Sequence, residues 1–393
     1  MAKVKKVAFV APRLAEGQAA GGAETLLFNL ARRTAAEGLD VTFLTTCAVD
    51  HFTWKNERPA GSSRRDGLNV QCFPVNEDRR LERFNEIQAR ISRGVHVSAE
   101  EEAFWLEHNV NSRELLAHLQ NAGEQYDRII LGPYLFGLIY HAALIHPKKS
   151  LLVPCLHDEP FAYLPSFSSL FNTVRGCLFN TEPERDLAEQ LYDLPEGNPV
   201  VGMGIEDVDS SGIDSIRGRL GHTAPYVLYC GRREQMKGTP LLLDYVNLFR
   251  LRTGQDIRLV LTGSGPVNPP PELLPYVTDL GFVAEADKRA VMEGALAFIH
   301  PSLHESLSIV LLESWLAETP ALVHSGGRVL RHQCLRANGG MWFGSYPEFE
   351  ESLLVLAGQP QLRNTMGKSG REYVLREYSW QTVMQRLLDA LEK

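Results

Sequence analysis

Short apolar runs and helix-period segments alternate along the first half of this chain, and no other feature of the sequence restricts the fold as much. The runs are apolar throughout, which predicts parallel strands covered on both faces, since a strand with one solvated face alternates apolar and polar residues. Amphipathic segments such as Glu24–Glu37 and Glu182–Tyr192 accompany them. The pattern therefore predicts a doubly wound α/β domain over about the first 200 residues. The predicted strands are Val7–Ala11, Val41–Thr45, Ile129–Leu131, Leu151–Leu156 and Gly176–Asn180.

A polar segment interrupts the alternation, which then resumes. Residues Gly202–Gly221 are rich in Gly, Ser and Asp, and this composition predicts a connection between domains that contains one short helix. The strands and helices predicted beyond it indicate a second doubly wound lobe. These strands are Tyr226–Cys230, Arg258–Thr262, Ala297–Pro301 and Ala321–His324, and the helices are Gly238–Arg252, Glu285–Ala295 and Leu307–Glu318.

The length of 393 residues suits about two to three domains and a cleft rather than one small core, and the strand pattern favours two. The charged, mostly helical segment 85–122 interrupts the strand pattern and is predicted to be an insertion in the first domain. We therefore predict an N-terminal domain at 1–203, a second domain at 204–375 and a final helix at 376–393. A net charge of -8 repels polyanions, so nucleic-acid binding is not expected.

Compartment signals in the sequence favour a cytoplasmic protein. The six cysteines form no CxxC pair, which predicts reduced and mostly buried thiols. The apolar run near the N-terminus stops at Pro12 and is too short for a secretory signal. The apolar stretch Leu135–Ile145 is about half as long as a membrane-spanning helix, so it is predicted to be a buried helix.

Cationic and glycine residues follow the predicted strand Tyr226–Cys230. In open α/β sheets, ligands bind beyond the carboxyl ends of the strands. The loop Gly231–Gly238 carries Arg232 and Lys237 between two glycines, a composition that suits a diphosphate. A solvated charged loop paired with Glu234 is the alternative that the residues leave open.

Two further strand ends in the second lobe carry polar motifs. The turn Thr262–Pro266 has glycines but departs from the dinucleotide fingerprint, which disfavours a nicotinamide enzyme. After the strand Ala297–Pro301, Ser306 is predicted to cap a helix with Glu305 at its mouth and Glu313 two turns further along. Backbone N–H groups at such a helix start can hold phosphate or sugar oxygens.

The first lobe offers two more candidate sites at strand ends. Gly21 and Gly22 lie where the first helix begins, and such glycines allow an anion to approach the backbone closely. His157 ends the predicted strand Leu151–Leu156, although a lone histidine is more often structural than catalytic. The segment Asp207–Asp209 looks like a metal-binding DxD motif, but its place in the linker favours a solvated turn.

Taken in chain order, these motifs resemble the family 4 retaining glycosyltransferases of the GT-B fold. The motifs are the Gly21–Glu24 loop, His157, the loop Gly231–Gly238, the turn Thr262–Pro266, the DLGFV segment Asp279–Val283 and the E-x7-E pattern from Glu305 to Glu313. The resemblance implies two Rossmann-like domains facing each other across a cleft. The second domain would hold most of a nucleotide-sugar donor, the first most of the acceptor, and the last helix would cross back to the first domain.

The resemblance also implies a role for each matching residue. Arg232 and Lys237 would bind the donor diphosphate, Glu305 the hydroxyls of the donor sugar and Glu313 those of the ribose, while His157 would face the reacting sugar. The implied donor-binding residues are Gly21, Gly22, Arg232, Lys237, Gly263, Phe282, Val283, Glu305, Ser306, Leu307, Ser308 and Glu313. The implied catalytic residues are His157, Arg232, Lys237 and Glu305.

The implied reaction is metal-independent transfer of a sugar with retention by front-face attack, and no cofactor or metal is expected. A UDP-sugar is the first choice of donor and GDP-mannose the second. The acceptor would be a glycan or a lipid-linked saccharide, which allows peripheral contact with the inner face of the membrane. Some positions depart from the family pattern: Ser308 stands where Gly is usual, Ser314 and Glu318 where Ala or Gly is usual, and Arg328–Arg331 follow the Gly326-Gly327 pair in place of a Glu.

Two other classes of function remain open on the sequence alone. A sugar-nucleotide epimerase or a phosphorylase can use the same fold. A non-catalytic protein that binds a nucleotide sugar would also explain the departures around Ser308 and Arg328.

Overall fold

A computed structural model describes residues 4–14 and 21–393 of the chain. The chain divides into two compact units. The first runs up to Met203 and also takes in Val383–Lys393, and the second spans Gly204–Thr382. Each unit contains one mainly parallel sheet and is described separately below.

The sheet of the first unit has seven strands in the order β3-β4-β2-β1-β5-β6-β7. All neighbours pair in parallel except β3, which pairs antiparallel with β4 at the sheet edge. The prediction missed this hairpin because β3 is exposed and carries no apolar residue. The strands are β1 (Lys6–Val10), β2 (Asp40–Thr46), β3 (Gly61–Arg65), β4 (Leu68–Phe73), β5 (Arg128–Leu131), β6 (Ser150–Leu152) and β7 (Gly176–Cys177).

The sheet of the second unit has six strands in the order β10-β9-β8-β11-β12-β13, all parallel. Strand β8 is buried along its whole length, as its apolar run predicts. The two strands missed by the prediction, β10 and β13, lie at the sheet edges. The strands are β8 (Tyr226–Cys230), β9 (Arg258–Thr262), β10 (Val277–Asp279), β11 (Ala297–His300), β12 (Ala321–His324) and β13 (Gly340–Phe343).

Fifteen α-helices of the described residues accompany the sheets, and they fall mostly between consecutive strands. In chain order they are α1 (Gly22–Ala36), α2 (Leu81–Ile91), α3 (Ala99–His108), α4 (Arg113–Ala122), α5 (Gly137–Ile145), α6 (Pro165–Thr173), α7 (Glu182–Leu191), α8 (Ile213–Leu220), α9 (Thr239–Thr253), α10 (Glu285–Glu293), α11 (Ile309–Leu316), α12 (Arg328–Ala337), α13 (Tyr346–Gly358), α14 (Pro360–Glu377) and α15 (Trp380–Glu392).

The predicted strand Leu151–Leu156 extends too far, because β6 ends at Leu152. Pro154 has no N–H to donate to a neighbouring strand. Cys155 adopts a left-handed backbone with φ of +53°, which a regular strand cannot accommodate. The segment leading to His157 is therefore an irregular connection rather than a strand.

The segment 85–122 forms part of the first unit's core. Helices α2, α3 and α4 each bury an apolar face in the cluster that also contains the central strands. Their members of this core are Phe84, Ile87, Ile91, Trp105, Leu106, Leu115 and Leu119. A segment that contributes this much apolar surface stabilises the unit and does not lie on it as an appendage.

The core of the second unit gathers around the buried strands β8, β9 and β11.

The apolar stretch Leu135–Ile145 of the first unit contains the buried helix α5, as predicted. No helix in the described part of the chain is long and apolar enough to cross a membrane. All six cysteines carry free thiols, and only Cys155 among them is not fully buried.

Glu318 adopts a left-handed backbone immediately after α11, with φ of +54°. Because such a conformation costs a residue with a Cβ about 1 kcal/mol more than it costs glycine, we expect Glu318→Gly to raise the free energy of unfolding by about 1 kcal/mol. Its carboxylate lies 3.9 Å from Arg371 Nε, so little ion-pair energy is lost. Urea denaturation measures the change. Glu318→Ala keeps the Cβ and serves as the control that should not gain stability; an equal gain in both variants would contradict the explanation.

Candidate active site

Three loops of the second unit form one continuous surface beyond the carboxyl ends of β8, β9 and β10. Gly231 N donates to Thr262 O over 3.0 Å, and Arg233 N donates to Ser264 O over 2.8 Å. Gly263 N in turn donates to Gly281 O over 2.8 Å. These backbone hydrogen bonds hold the loops containing Arg232, Gly263 and Phe282 side by side.

Glycine is required at two positions where these loops pack closely against neighbouring backbone. Gly263 has φ of +110°, and a Cβ there would lie 2.2 Å from Gly231 O. Gly238 has φ of +72°, and its Cβ would lie 2.7 Å from Pro301 O. Because Gly263 has no Cβ, the loop that contains Arg232 can pack closely against its backbone.

The neighbouring arginines of the loop after β8 have different roles. Arg233 is buried, donates to Gly265 O over 2.7 Å and forms an ion pair with Asp279. The same Asp279 Oδ1 accepts a hydrogen bond from Gly281 N at 2.8 Å. The Arg233–Asp279 pair and its hydrogen bonds therefore link the three loops.

Arg232 presents its guanidinium at the surface. Its side chain is 47% exposed and lies 3.2 Å from Glu234 Oε1. Its backbone is fixed, because its carbonyl oxygen accepts a hydrogen bond from the Tyr229 hydroxyl at 2.6 Å. An exposed guanidinium on an anchored backbone can bind an anion in the bidentate manner typical of arginine.

Lys237 and Glu305, which are far apart in the sequence, meet in the structure. Lys237 Nζ donates to Glu305 Oε1 over 2.6 Å, and only 14% of the Glu305 side chain is exposed. Burial raises the pKa of Glu305, but Lys237 and the adjacent His300 outweigh burial and leave the pKa below its ordinary value. Glu305 is thus an ionised acceptor held by a fixed cation.

His300, the last residue of β11, lies beneath this pair, and the sequence analysis did not single it out. The imidazole is almost fully buried, with Nε2 2.9 Å from Ser308 Oγ and 3.6 Å from Glu305 Oε1. Burial lowers its pKa to about 4, more than Glu305 raises it, and Lys237 lowers it further. The imidazole is therefore neutral near pH 7, and Glu305 keeps Lys237 as its charged partner. The signal that could have found His300 is its place at the carboxyl end of a strand.

The lowered pKa of His300 predicts acid sensitivity. Below pH 6.5 the unfolded chain protonates this imidazole, whereas the folded chain does so only near pH 4, so the stability contribution is lost as the pH falls through that window. We expect the free energy of unfolding to fall by up to about 3 kcal/mol from this group. His300→Gln should flatten the pH dependence in urea denaturation between pH 7 and 4. His304→Gln on the same loop is the control, and equal flattening in both variants would contradict the assignment.

Ser306 does not cap α11, contrary to the sequence prediction. The helix begins at Ile309, and Ser308 occupies the cap position with a left-handed φ of +70°. Its hydroxyl lies against His300 and makes no capping hydrogen bond. A left-handed residue before the helix explains why the family pattern has glycine at this position.

Glu313, further along α11, lies in a separate buried ion pair. Lys288 Nζ donates to Glu313 Oε1 over 2.9 Å and lies 2.8 Å from Glu285. Burial lowers the pKa of Lys288, but the two carboxylates outweigh burial and raise it above its ordinary value. Glu313 Oε2 has no hydrogen-bond partner among the described residues.

The remaining donor-binding candidates of the second unit differ in exposure. Phe282 is 50% exposed and follows the glycine that joins the loops. Val283 and Leu307 are buried, so their side chains pack inside the unit. Ser306 is partly exposed on the loop between Glu305 and Ser308.

In the first unit, Gly21 and Gly22 lie at the start of α1, after residues 15–20, which are outside the described part. Gly21 N donates to Glu24 Oε2 over 2.6 Å, and Arg13 forms two hydrogen bonds with the same carboxylate. A Cβ on Gly21 would lie 2.4 Å from that oxygen. The buried pair of Arg13 and Glu24, which the sequence analysis missed, therefore fixes the start of α1.

His157 lies beyond β6 with 27% of its side chain exposed, and its Nδ1 is 3.7 Å from Glu159 Oε1. Glu184 of α7 accepts backbone hydrogen bonds next to the segment that contains His157. Its carboxylate accepts a hydrogen bond from Leu156 N at 2.7 Å and another from Asn180 N at 2.6 Å. Burial raises the pKa of Glu184 to about 8 against the lowering effect of these hydrogen bonds. His157 therefore follows a backbone segment anchored by a buried carboxyl group.

Asp207 of the linker is not a solvated turn residue. Its carboxylate forms an ion pair with Arg371 at 2.5 Å and another with Arg289 at 2.8 Å. Two arginines on helices of the second unit therefore neutralise the carboxylate of Asp207. Asp209, the other member of the motif, is exposed.

Part of the second unit is similar to a known protein family. Residues 224–356 match the family model of the glycosyl transferases group 1. This range of the second unit is therefore similar to the group 1 glycosyltransferase domain. The matched range contains every donor-binding candidate of the second unit.

Two curated relatives match this chain over less than half of their own length. Glycosyltransferase 1 domain-containing protein 1 of Xenopus tropicalis is 25% identical over 178 residues, which are 42% of this chain and 49% of that protein. Alpha-D-kanosaminyltransferase of Streptomyces kanamyceticus is 27% identical over 39% of this chain and 42% of its own length. The chain therefore spans about half the length of the curated relatives that it matches.

Solved structures resemble the whole chain. Sucrose-phosphate synthase from Thermosynechococcus elongatus superposes with a TM-score of 0.70 at 15% identity, covering 99% of this chain and 98% of that one. Anabaena HepE, solved with UDP and glucose, has a TM-score of 0.71 at 16% identity and covers 99% of both chains. At such identities the likeness concerns the fold. It confirms the predicted α/β class, with two Rossmann-like domains of the GT-B type.

Proposed function

We propose that this protein transfers a sugar from a nucleoside diphosphate sugar to a hydroxyl group of a glycan or lipid-linked saccharide, as a retaining glycosyltransferase of family 4. The ion pair between Lys237 and Glu305 carries this proposal. It places a cation and a hydrogen-bond acceptor together in a domain that matches glycosyltransferases. A diphosphate needs the cation, and sugar hydroxyls need the acceptor.

The donor diphosphate binds between Arg232 and Lys237. Arg232 offers an exposed guanidinium, and Lys237 offers an ammonium group whose position Glu305 fixes. The backbone N–H groups near Ser306 to Ser308 and the start of α11 add partial positive charge. Negative charge develops on the diphosphate as it leaves, so fixed positive groups stabilise the transition state more than the ground state.

The sugar and nucleoside bind on either side of the diphosphate. Glu305 accepts hydrogen bonds from hydroxyls of the donor sugar. Glu313 accepts hydrogen bonds from the ribose through Oε2, the oxygen without a partner in the described part of the chain. The exposed ring of Phe282 lies against the base.

The transfer step exchanges one bond at the anomeric carbon for another. The bond from this carbon to the diphosphate oxygen breaks, and a bond from the acceptor oxygen forms on the same face of the sugar. The acceptor's proton passes to an oxygen of the leaving diphosphate, which keeps the electron pair of the broken bond. This route requires no protein nucleophile.

A UDP-sugar is the first choice of donor and GDP-mannose the second. A thermal-shift screen with UDP, GDP, ADP and CDP tests this choice, because a ligand that binds the native state raises its melting temperature. Turnover is expected to continue in EDTA, since the diphosphate is bound by protein cations. We place the enzyme in the cytoplasm, with peripheral contact at the inner membrane face when the acceptor is lipid-linked.

The decisive experiment is sugar transfer from labelled donors to an acceptor panel. A glycosyltransferase releases nucleoside diphosphate only as labelled product forms. Isomerised donor without an acceptor would indicate an epimerase, and a requirement for inorganic phosphate would indicate a phosphorylase. Tight nucleotide binding without turnover over the whole panel would overturn the proposal in favour of a binding protein.

A further inference from the structure

A cavity of about 640 Å³ opens in the first unit beside the segment that follows His157. One wall runs from Asp158 to Pro165, and the other is the loop between α2 and α3, from Gly94 to Val97, together with Ile91. The donor site proposed above does not use this cavity. Ile91 of α2 and the loop after it thus form one side of a pocket whose other side begins at the residue after His157.

Both walls of the cavity are anchored. Arg90 forms an ion pair with Glu101 at 2.5 Å and donates to His96 O over 3.0 Å, which holds the loop between α2 and α3. The buried Glu102 accepts a hydrogen bond from Ser166 N at 2.7 Å and so links α3 to the start of α6. The cavity is therefore a built feature of the unit rather than a gap between mobile loops.

The ring stack beneath the opposite wall adds rigidity. Trp105 is buried and stacks on Phe161 with ring centroids 5.5 Å apart. Phe161 belongs to the 3-10 turn Pro160–Tyr163, which supplies part of the lining. Packing between α3 and this turn therefore fixes the position of Tyr163.

The lining combines an apolar face with negative charge. Tyr163 is 60% exposed and Val95 is 49% exposed, although both are large apolar side chains. Asp158 Oδ1 accepts a hydrogen bond from the Tyr163 hydroxyl at 2.8 Å, and Glu159 is a second carboxylate in the lining. The lining residues within the described part of the chain include no Lys or Arg.

We propose that this cavity binds an acceptor sugar ring that carries no negative charge; this inference rests on the proposed glycosyltransferase function. The apolar face of a sugar ring packs on Tyr163 and Val95, while its hydroxyls donate to the carboxylate of Asp158. Phosphate or carboxylate groups on the acceptor meet Asp158 and Glu159 with no Lys or Arg among the described lining residues to compensate. The segment 85–122 is therefore a determinant of acceptor specificity.

A matched pair of fluorescent sugars tests the inference without requiring turnover. The 4-methylumbelliferyl β-glucoside and the corresponding β-glucuronide differ only by the carboxylate at C6. Fluorescence titration of the full chain should show binding of the glucoside and at least about tenfold weaker binding of the glucuronide, because like charges oppose each other in the cavity. Equal affinities, or no binding of either probe at millimolar concentration, would overturn the inference.

Variants locate the binding to this cavity. We expect Tyr163→Ala to weaken glucoside binding by about tenfold and Tyr163→Phe to preserve it, because the ring supplies the contact. Asp158→Asn should reduce the difference in affinity between the glucoside and the glucuronide, because it removes one of the two negative charges of the lining. Val95→Asp should weaken glucoside binding, whereas Leu251→Asp, at an exposed leucine of α9, should not. Glucoside binding that is insensitive to both Tyr163→Ala and Val95→Asp would overturn the inference.

A thermal-shift measurement with UDP on the same samples separates the two proposals. A shift with UDP but no sugar binding in the cavity would reject only the acceptor site. Sugar binding with the expected variant effects, but no shift with any nucleoside diphosphate, would reject the proposed function and leave the cavity as a sugar-binding site.

Discussion

Replacing Lys237 with methionine is expected to lower kcat/KM for sugar transfer by roughly a hundred- to a thousandfold, the effect of removing one fixed group that stabilises developing charge. The ammonium group lies 2.6 Å from Glu305 and only a quarter of the side chain is exposed, so it is held in place before the donor binds. Methionine keeps the volume of the aliphatic stem and removes the charge. Initial rates of labelled-sugar transfer give the ratio.

Two further variants test whether the loss of kcat/KM comes from the ion pair between Lys237 and Glu305. Lys368→Met, at an exposed lysine of α14, removes the same charge from the same unit and should leave kcat/KM unchanged. Glu305→Gln should also lower kcat/KM, because it removes the carboxylate that both fixes Lys237 and accepts sugar hydroxyls. Lys237→Met with near-normal kcat/KM and an unchanged fold would contradict the proposed role of this pair.

Replacing Asp279 with alanine is expected to reduce the free energy of unfolding by about 2 to 3 kcal/mol. This carboxylate pairs with Arg233, whose side chain is only 3% exposed. Asp279 itself is 42% exposed, but its removal leaves the guanidinium of Arg233 buried without that partner, which is the costly way to break an ion pair. Arg233 Nε has no other partner among the described residues, and only Gly265 O remains for its Nη1. Urea denaturation followed by circular dichroism measures the change.

The adjacent arginine provides the matched control. Arg232→Ala removes an exposed guanidinium and should change the free energy of unfolding by less than about 0.5 kcal/mol. It should nevertheless lower kcat/KM, because the guanidinium belongs to the proposed diphosphate site. Equal stability losses in Asp279→Ala and Arg232→Ala would refute the different roles that we assign to the two neighbouring arginines.

Central strands of the sheets were predictable because their sequences are apolar on both faces. The ends of β8, β9 and β12 agree with the prediction to the residue. The hairpin of β3 and β4 was not predicted, since β3 is a polar edge strand. Its turn, Asp66-Gly67, has positive φ at both residues and is the local signal that could have shown it.

The role of adjacent residues could not be read from the sequence in the same way. Arg232 and Arg233 are chemically identical neighbours, and only the position of Asp279 in the folded loops makes one of them internal. Ser306 and Ser308 are equally good caps by composition. The left-handed backbone of Ser308 and its contact with His300 show which of them precedes the helix.

The sequence by itself determined two doubly wound lobes and the strand ends at which chemistry was to be sought, because burial period and glycine position are local properties of the chain. Tertiary structure alone decided that Lys237 meets Glu305, that His300 lies neutral beneath them and that the segment 85–122 forms one wall of a negatively charged cavity. The reason is physical. Side chains tens of residues apart come into contact only when loops and helices pack together. Such packing depends on many interactions at once, and no short stretch of sequence contains all of them.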